Sequence, residues 1–155
     1  SNIYKNRDDI NAVAHAHPMY GKTFSTLGKT LDPITQDSCA FYERTAIFAD
    51  YDGVANGPQE GINISKALAD KDFLILQNHG ILTTGSMIDT TIWYFLNMED
   101  ACKSQLIAES VGKPIKIPHD VACNTRDYVA NDLSAFVSLQ PLLDLLWEEE
   151  KDFLD

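Results

Sequence analysis

Two of the chain's four histidines are set apart by their spacing. His15 and His17 occupy alternate positions in Ala14-His15-Ala16-His17-Pro18. In an extended strand alternate side chains share a face, with a two-residue rise of roughly 7 Å. Two imidazoles so placed can share one cation. A third donor, His79, follows the apolar run of Leu74-Ile75-Leu76-Gln77-Asn78-His79-Gly80. Three neutral imidazoles with a vacant position are a common protein contribution to a catalytic zinc site, whereas closed structural sites take four ligands and often cysteine. A plainer reading fits the same residues: His15 and His17 as an edge pair on a half-exposed strand, His79 as a turn histidine held by backbone. Spacing alone leaves both open.

The elements that would position these rings can be read from the pattern around them. Residues 10–14 are short and apolar, as a strand requires, and Pro18 suits the first turn of a following helix over 19–27 that Gly28 would end. The run 73–76 reads as a buried strand, the Asn78-His79-Gly80 turn closes it, and 80–85 gives another strand. Further strands and loops are expected at 45–49 and 50–53, an extended piece at 31–35, and a helix over 59–69. Ser86 and Asp89 resemble a capping box opening a long core helix to about residue 109, with Ile88, Ile92, Phe95, Cys102 and Leu106 along its apolar line. Glu99 falls on that line, and a buried acid needs a partner, most simply a structural hydrogen bond to a neighbouring loop. Residues 3–9 read as the end of a helix, and 121–139 as one helix or two. Residues 141–147 are apolar enough to dock, and His119 reads as an exposed or capping residue.

At 155 residues the chain fits one domain over 1–155, with a core over 1–111 and a C-terminal helical extension over 112–155. Its 23 acids against 12 bases, a formal charge of −11, argue against nucleic acid and anionic membrane as partners. No run approaches the length of a membrane-spanning helix. Cys39, Cys102 and Cys123 are odd in number and unclustered, which suits reduced, buried thiols in the cytoplasm and no disulfide framework. Glycine-rich phosphate loops, serine nucleophile elbows and basic aromatic patches are missing from the pattern.

His15-Ala16-His17-Pro18, Gly21-Lys22, Ile34-Thr35-Gln36-Asp37, Leu76-Gln77-Asn78-His79-Gly80, Met98-Glu99 and Lys151-Asp152-Phe153-Leu154 together resemble the class II aldolase/adducin family. The similarity is to its larger aldolase-like branch, clearest over residues 9–109. The resemblance implies a three-layer αβα sandwich around a mostly antiparallel sheet, assembled as a homotetramer with active sites near subunit boundaries. It implies that His15, His17 and His79 hold Zn2+, with Mn2+, Fe2+ or Co2+ as other cations for the same donors. The implied activity is lyase chemistry on a small hydroxy-carbonyl compound, such as a sugar phosphate, with the cation stabilising charge as a carbon–carbon bond breaks.

The departures from the family pattern are specific. The family's acid/base carboxylate would fall before Ser1, as would the loops that grip a substrate phosphate, so the domain is expected to be N-terminally truncated. Gln36 stands near the position of a proton-donating tyrosine, and an amide cannot deliver a proton as a phenol can. Asp37, or an acid from another chain, is left for the acid/base role, with Gln36 and Lys22 as substrate contacts. The alternatives are an adducin-like assembly module without chemistry, an inactive truncated aldolase, and a non-haem iron oxidative decarboxylase.

Overall fold

The computed structural model describes residues 2–50 and 58–150. Among them the order is α1 (Asn2–Asn6), β1 (Ala12–Ala16), α2 (Met19–Ser25), a 3-10 turn (Asp37–Phe41), β2 (Thr45–Phe48), α3 (Pro58–Leu68), β3 (Phe73–Leu76), β4 (Gly80–Gly85), α4 (Ile88–Val111), α5 (His119–Val129) and α6 (Asp132–Glu149). Most of the loop expected at 50–53 lies outside the described residues. Residues 31–35, expected to be extended, pair with no strand.

The four strands form one sheet in the order β1-β4-β3-β2. β1 pairs antiparallel with β4, and β4 antiparallel with β3. β3 runs parallel to β2, so the sheet is mixed. A parallel neighbour cannot be reached by a hairpin, and α3 lies in the connection between the two strands.

Every residue of β3 is buried, because both faces of the sheet are covered. Phe73 and Ile75 join Ile81 in one core cluster with Phe24 of α2 and Tyr94, Met98, Ala101 and Cys102 of α4. Leu74 and Leu76 join Leu82 in a second cluster with Ile3 of α1 and Leu68 of α3. The strand's two-residue alternation thus feeds two cores, giving the three αβα layers that the sequence leads one to expect. Arg44 holds the start of β3: its guanidinium bonds the Asp72 carboxylate at 2.7 Å and lies 5.1 Å from the Phe73 ring centre.

Three local expectations are corrected. No Ser86 capping box forms: Met87 is the N-cap residue of α4, and the Ser86 hydroxyl donates to Asp132 at 2.6 Å. The buried side of α4 runs through Thr90, Thr91, Tyr94, Met98, Cys102 and Gln105, while Ile88 and Ile92 are exposed. This rotation is tolerated because the buried Thr90, Thr91 and Gln105 are bonded, Thr90 and Thr91 each donating to the Met87 carbonyl. Thr83 donates to the Thr91 carbonyl, and Gln105 joins Asp32 to Glu109. Finally, residues 141–147 do not dock as expected: the chain over 119–149 forms two helices, one of the two arrangements expected for 121–139, divided where the Asn131 side chain caps the Ser134 amide. Pro141 lies inside α6, and Leu142, Leu145, Leu146 and Trp147 stay exposed instead of docking on the chain's own core.

Candidate metal centre

His15 is the fourth residue of β1 and His17 lies one residue past the strand, so both rings project from the same face. Pro18, with no N–H to continue the ladder, turns the chain directly into α2, and its carbonyl accepts from the Lys22 amide at 2.9 Å. His79 comes from the three-residue connection between β3 and β4, whose flanking residues Leu76 and Gly80 pair. Asn78 takes the left-handed conformation, φ 59°, that closes this turn. The His79 amide then bonds back to Leu76 O at 3.0 Å, and the Gln77 amide reaches Phe48 O at 2.9 Å.

These segments bring the three imidazoles together. Ring centres are 5.1 Å apart for His15 and His17, 5.0 Å for His15 and His79, and 4.4 Å for His17 and His79. One nitrogen from each lies within 4.8 Å of the others. Bonds of about 2.0–2.1 Å to a tetrahedral zinc put donor nitrogens about 3.4 Å apart, so small ring rotations bring this set onto one cation.

The surroundings select the donor atom of one ring. A carbonyl can only accept, so His15 Nδ1 carries the hydrogen in its 2.8 Å contact with Ile81 O, leaving Nε2 with its lone pair. Burial, and then the neighbouring His15 and His17, hold His79 below the ordinary histidine value, which favours the neutral, ligating form. Glu60, in the first turn of α3, opposes that shift. Its reach to His79 depends on how α3 packs, which no local pattern carries.

Two positions tighten the frame. A side-chain carbon at Gly80 would stand 2.5 Å from Ala16 O and 3.1 Å from the His17 ring, so β1 and the turn approach as closely as they do only around glycine. Glu99 of α4 is the second. Its carboxylate accepts from the Tyr20 amide at 2.8 Å and from the Gly21 amide, satisfying two orphan donors of α2. The acid is partnered as expected, but by the first turn of a helix and not by a loop.

The other residues singled out by sequence fall elsewhere. Lys22 is exposed on α2, one turn beyond the histidine motif. Asp37 and Gln36 sit at the 3-10 turn, whose Phe41 packs edge-to-face with Phe73 at the opposite end of β3 from His79. Asp37 lines a cavity of about 180 Å³ with Trp93, Asn97 and Ser138, and Gln36 one of about 400 Å³ with Ile117 and Asn124. No histidine of the trio lines either cavity. Within one chain, then, the expected acid/base and substrate contacts at 36–37 are not brought to the histidines, because the turn belongs to the end of the sheet where β2 and β3 begin.

The fold and site define an αβα sandwich with three imidazoles, a set of donors that could hold a metal ion, converging at one end of its sheet. The chain belongs to the class II aldolase and adducin family: residues 1–106 match its class II aldolase and adducin N-terminal domain. It is 37% identical over 140 residues to decarboxylase NovR of Streptomyces niveus, covering 90% of this chain and 52% of that protein. Over 140 residues it is 36% identical to the 4-hydroxy-3-prenylphenylpyruvate oxygenase/4-hydroxy-3-prenylbenzoate synthase of Streptomyces roseochromogenus subsp. oscitans, covering 90% and 50%. Among solved structures, the L-fuculose 1-phosphate aldolase from Glaciozyma antarctica PI12 superposes with a TM-score of 0.85 at 35% identity, covering 97% of this chain and 57% of that one. The chain spans about half the length of the curated relatives it matches.

Proposed function

We propose that the chain carries the metal centre of a lyase of class II aldolase type, making or breaking a carbon–carbon bond in a small hydroxy-carbonyl compound. The observation that carries this reading is the convergence of His15, His17 and His79, neutral donors from two remote segments, at one end of the sheet. Zn2+ is the cation we assign, with Mn2+, Fe2+ and Co2+ able to use the same nitrogens. When bound, such a cation supplies Lewis-acid stabilisation of negative charge developing on substrate oxygens.

The chain's own residues hold that site in shape. The Ile81 carbonyl fixes the His15 tautomer, Gly80 admits the His17 ring, and Glu99 pins α2 so that the strand's exit is fixed. Lys22, one turn along α2, is the proposed anion contact. Asp37 and Gln36 can serve the histidines only from a neighbouring copy, which fits a homo-oligomer with shared sites. The exposed Ile88, Ile92, Leu96, Phe136 and Leu142 provide apolar surface for such assembly. In this reading 1–155 acts as one unit, 112–155 being its helical extension. The free thiols support a cytoplasmic reading, and its acidity argues against nucleic acid and membrane as partners.

A second reading is favoured by the two relatives named as a decarboxylase and an oxygenase. In it the same three imidazoles hold iron(II) for oxidative decarboxylation of a keto acid. One experiment separates the readings. Purified protein loaded with Zn2+ or with Fe2+ is offered hydroxy-carbonyl and 2-keto acid substrates while aldehyde release and oxygen uptake are followed. Aldehyde release with Zn2+ and no oxygen uptake supports the lyase. Oxygen uptake that needs Fe2+ and a keto acid replaces it with the decarboxylase, and neither signal from a metal-loaded assembly overturns both.

A further inference from the structure

Away from the histidine trio, a second set of donors converges where α5 meets the turn before β2. His119 and Cys123 stand one helical turn apart on α5, so both side chains face the same way. Glu43, between the 3-10 turn and the start of β2 at Thr45, comes from the other side. Its Oε1 is 3.7 Å from His119 Nδ1, and its Oε2 is 3.8 Å from Cys123 Sγ. Cys123 Sγ is 3.9 Å from both ring nitrogens of His119. Ligand atoms of all three lie within 4.8 Å of one another.

We infer that Glu43, His119 and Cys123 form a second cation site, built for a borderline-soft divalent ion such as Zn2+. The donor set is one thiolate, one imidazole and one carboxylate, with a water for the fourth position. Tetrahedral bonds of about 2.3 Å to sulfur and about 2.0 Å to nitrogen put these two atoms about 3.5 Å apart, a few tenths of an ångström inside the separation already present. The Tyr42 hydroxyl lies 3.2 Å from His119 Nδ1. With Nδ1–H donating to that hydroxyl, Nε2 keeps the lone pair that a metal needs.

Two features set the character of the site. Glu43 is held at φ 60°, a left-handed conformation costly for a residue with a long side chain, at the very position that brings its carboxylate to the cluster. Arg126 Nη1 stands 3.5 Å from Glu43 Oε2. Its charge opposes a nearby cation, so this is a weaker and more readily emptied centre than one of three anionic ligands. Glu43 and His119 are exposed and Cys123 is half-buried, so an ion enters from solvent without unfolding. On binding, the thiol proton leaves to solvent, and the ion ties α5 to the turn that leads into β2.

Cobalt(II) tests this, because a cobalt–thiolate bond has a near-ultraviolet charge-transfer absorption that a site made only of imidazoles cannot give. The full chain, kept reduced, is titrated with Co2+. The expected result is a thiolate–cobalt signal whose full amplitude corresponds to about one thiolate-bound ion per chain, complete near the second equivalent where the trio is intact and near the first in His79→Ala, and lost in Cys123→Ser. In His119→Gln and Glu43→Gln the apparent affinity falls by roughly tenfold or more. The inference is overturned by cobalt saturation without charge-transfer absorption, or by a signal that survives in Cys123→Ser. Since His79→Ala empties the trio alone, the fate of this site and that of the proposed lyase centre are read separately.

Discussion

Replacing Gly80 by alanine places one methyl group where the histidine turn meets the end of β1. That carbon would lie 2.5 Å from the Ala16 carbonyl oxygen, roughly 0.9 Å inside the 3.4 Å at which ordinary contact begins, and 3.1 Å from the His17 ring. The obstructing atom is backbone, paired in the sheet through Ala16 and Ile81, so no flexible side chain can yield in its place. Relief requires β1 and the turn to separate by several tenths of an ångström, which pulls His17 away from His79. Overpacking of this kind costs about 1–3 kcal/mol, or a melting temperature lower by about 3–10 °C for a chain of this size. Metal affinity should fall by about 10–100-fold, as for other supports of a ligating ring. Competition against a chromophoric chelator reads the affinity, and thermal unfolding of the apoprotein reads the cost. Gly112→Ala, where an added carbon meets nothing within 4 Å, is the matched control and should change neither. A Gly80→Ala protein with wild-type affinity and wild-type melting would refute the argument that the close approach of these strands builds the site.

Glu99→Ala should cost about 1–3 kcal/mol in denaturant unfolding, since it leaves the Tyr20 and Gly21 amides without their acceptor, and Glu99→Gln should recover part of the loss. Arg44→Lys should destabilise by about 1 kcal/mol or more, because a compact ammonium cannot replace a delocalised guanidinium that bonds Asp72 while standing against the Phe73 and Tyr94 rings; urea midpoints check this. The Lys29 ammonium, 2.5 Å from Glu109, and then Gln105 hold the Glu109 carboxyl below its ordinary 4.5. The folded-state value is the lower one, so this contribution is present above the ordinary value and lost as pH falls through the folded value. Glu109→Gln should therefore destabilise near neutrality by about 0.5 kcal/mol and leave stability below that range unchanged, which melting curves across acidic pH will read.

Much of the site's frame was legible in local pattern. Alternation put His15 and His17 on one face, the apolar run 73–76 and the run 80–85 are β3 and β4 at their observed bounds, and Asn78-His79-Gly80 is the turn between them. What local pattern could not carry is the outcome of packing. The parallel pairing of β2 with β3 depends on a crossover, and the buried side of α4 depends on Thr91 meeting Thr83 of the packed strand β4 and on Gln105 finding Asp32 far along the chain. Hydropathy ranked Ile88 and Ile92 above those residues, and the hydrogen bonds reversed the order. Glu43 and Cys123 meet across 80 residues, so nothing in the neighbourhood of either announces the other. The same holds for Asp37, whose place at the opposite end of the sheet follows from Phe41 packing on Phe73.

The central claim is tested most directly by X-ray absorption at the zinc edge on Cys123→Ser protein loaded with one equivalent of Zn2+, beside the same protein carrying His79→Ala. Convergence of His15, His17 and His79 predicts three imidazole nitrogens at about 2.0–2.1 Å from zinc, and loss of tight binding when His79 is removed. Zinc held by fewer than three imidazoles, or bound as tightly without His79, would contradict it.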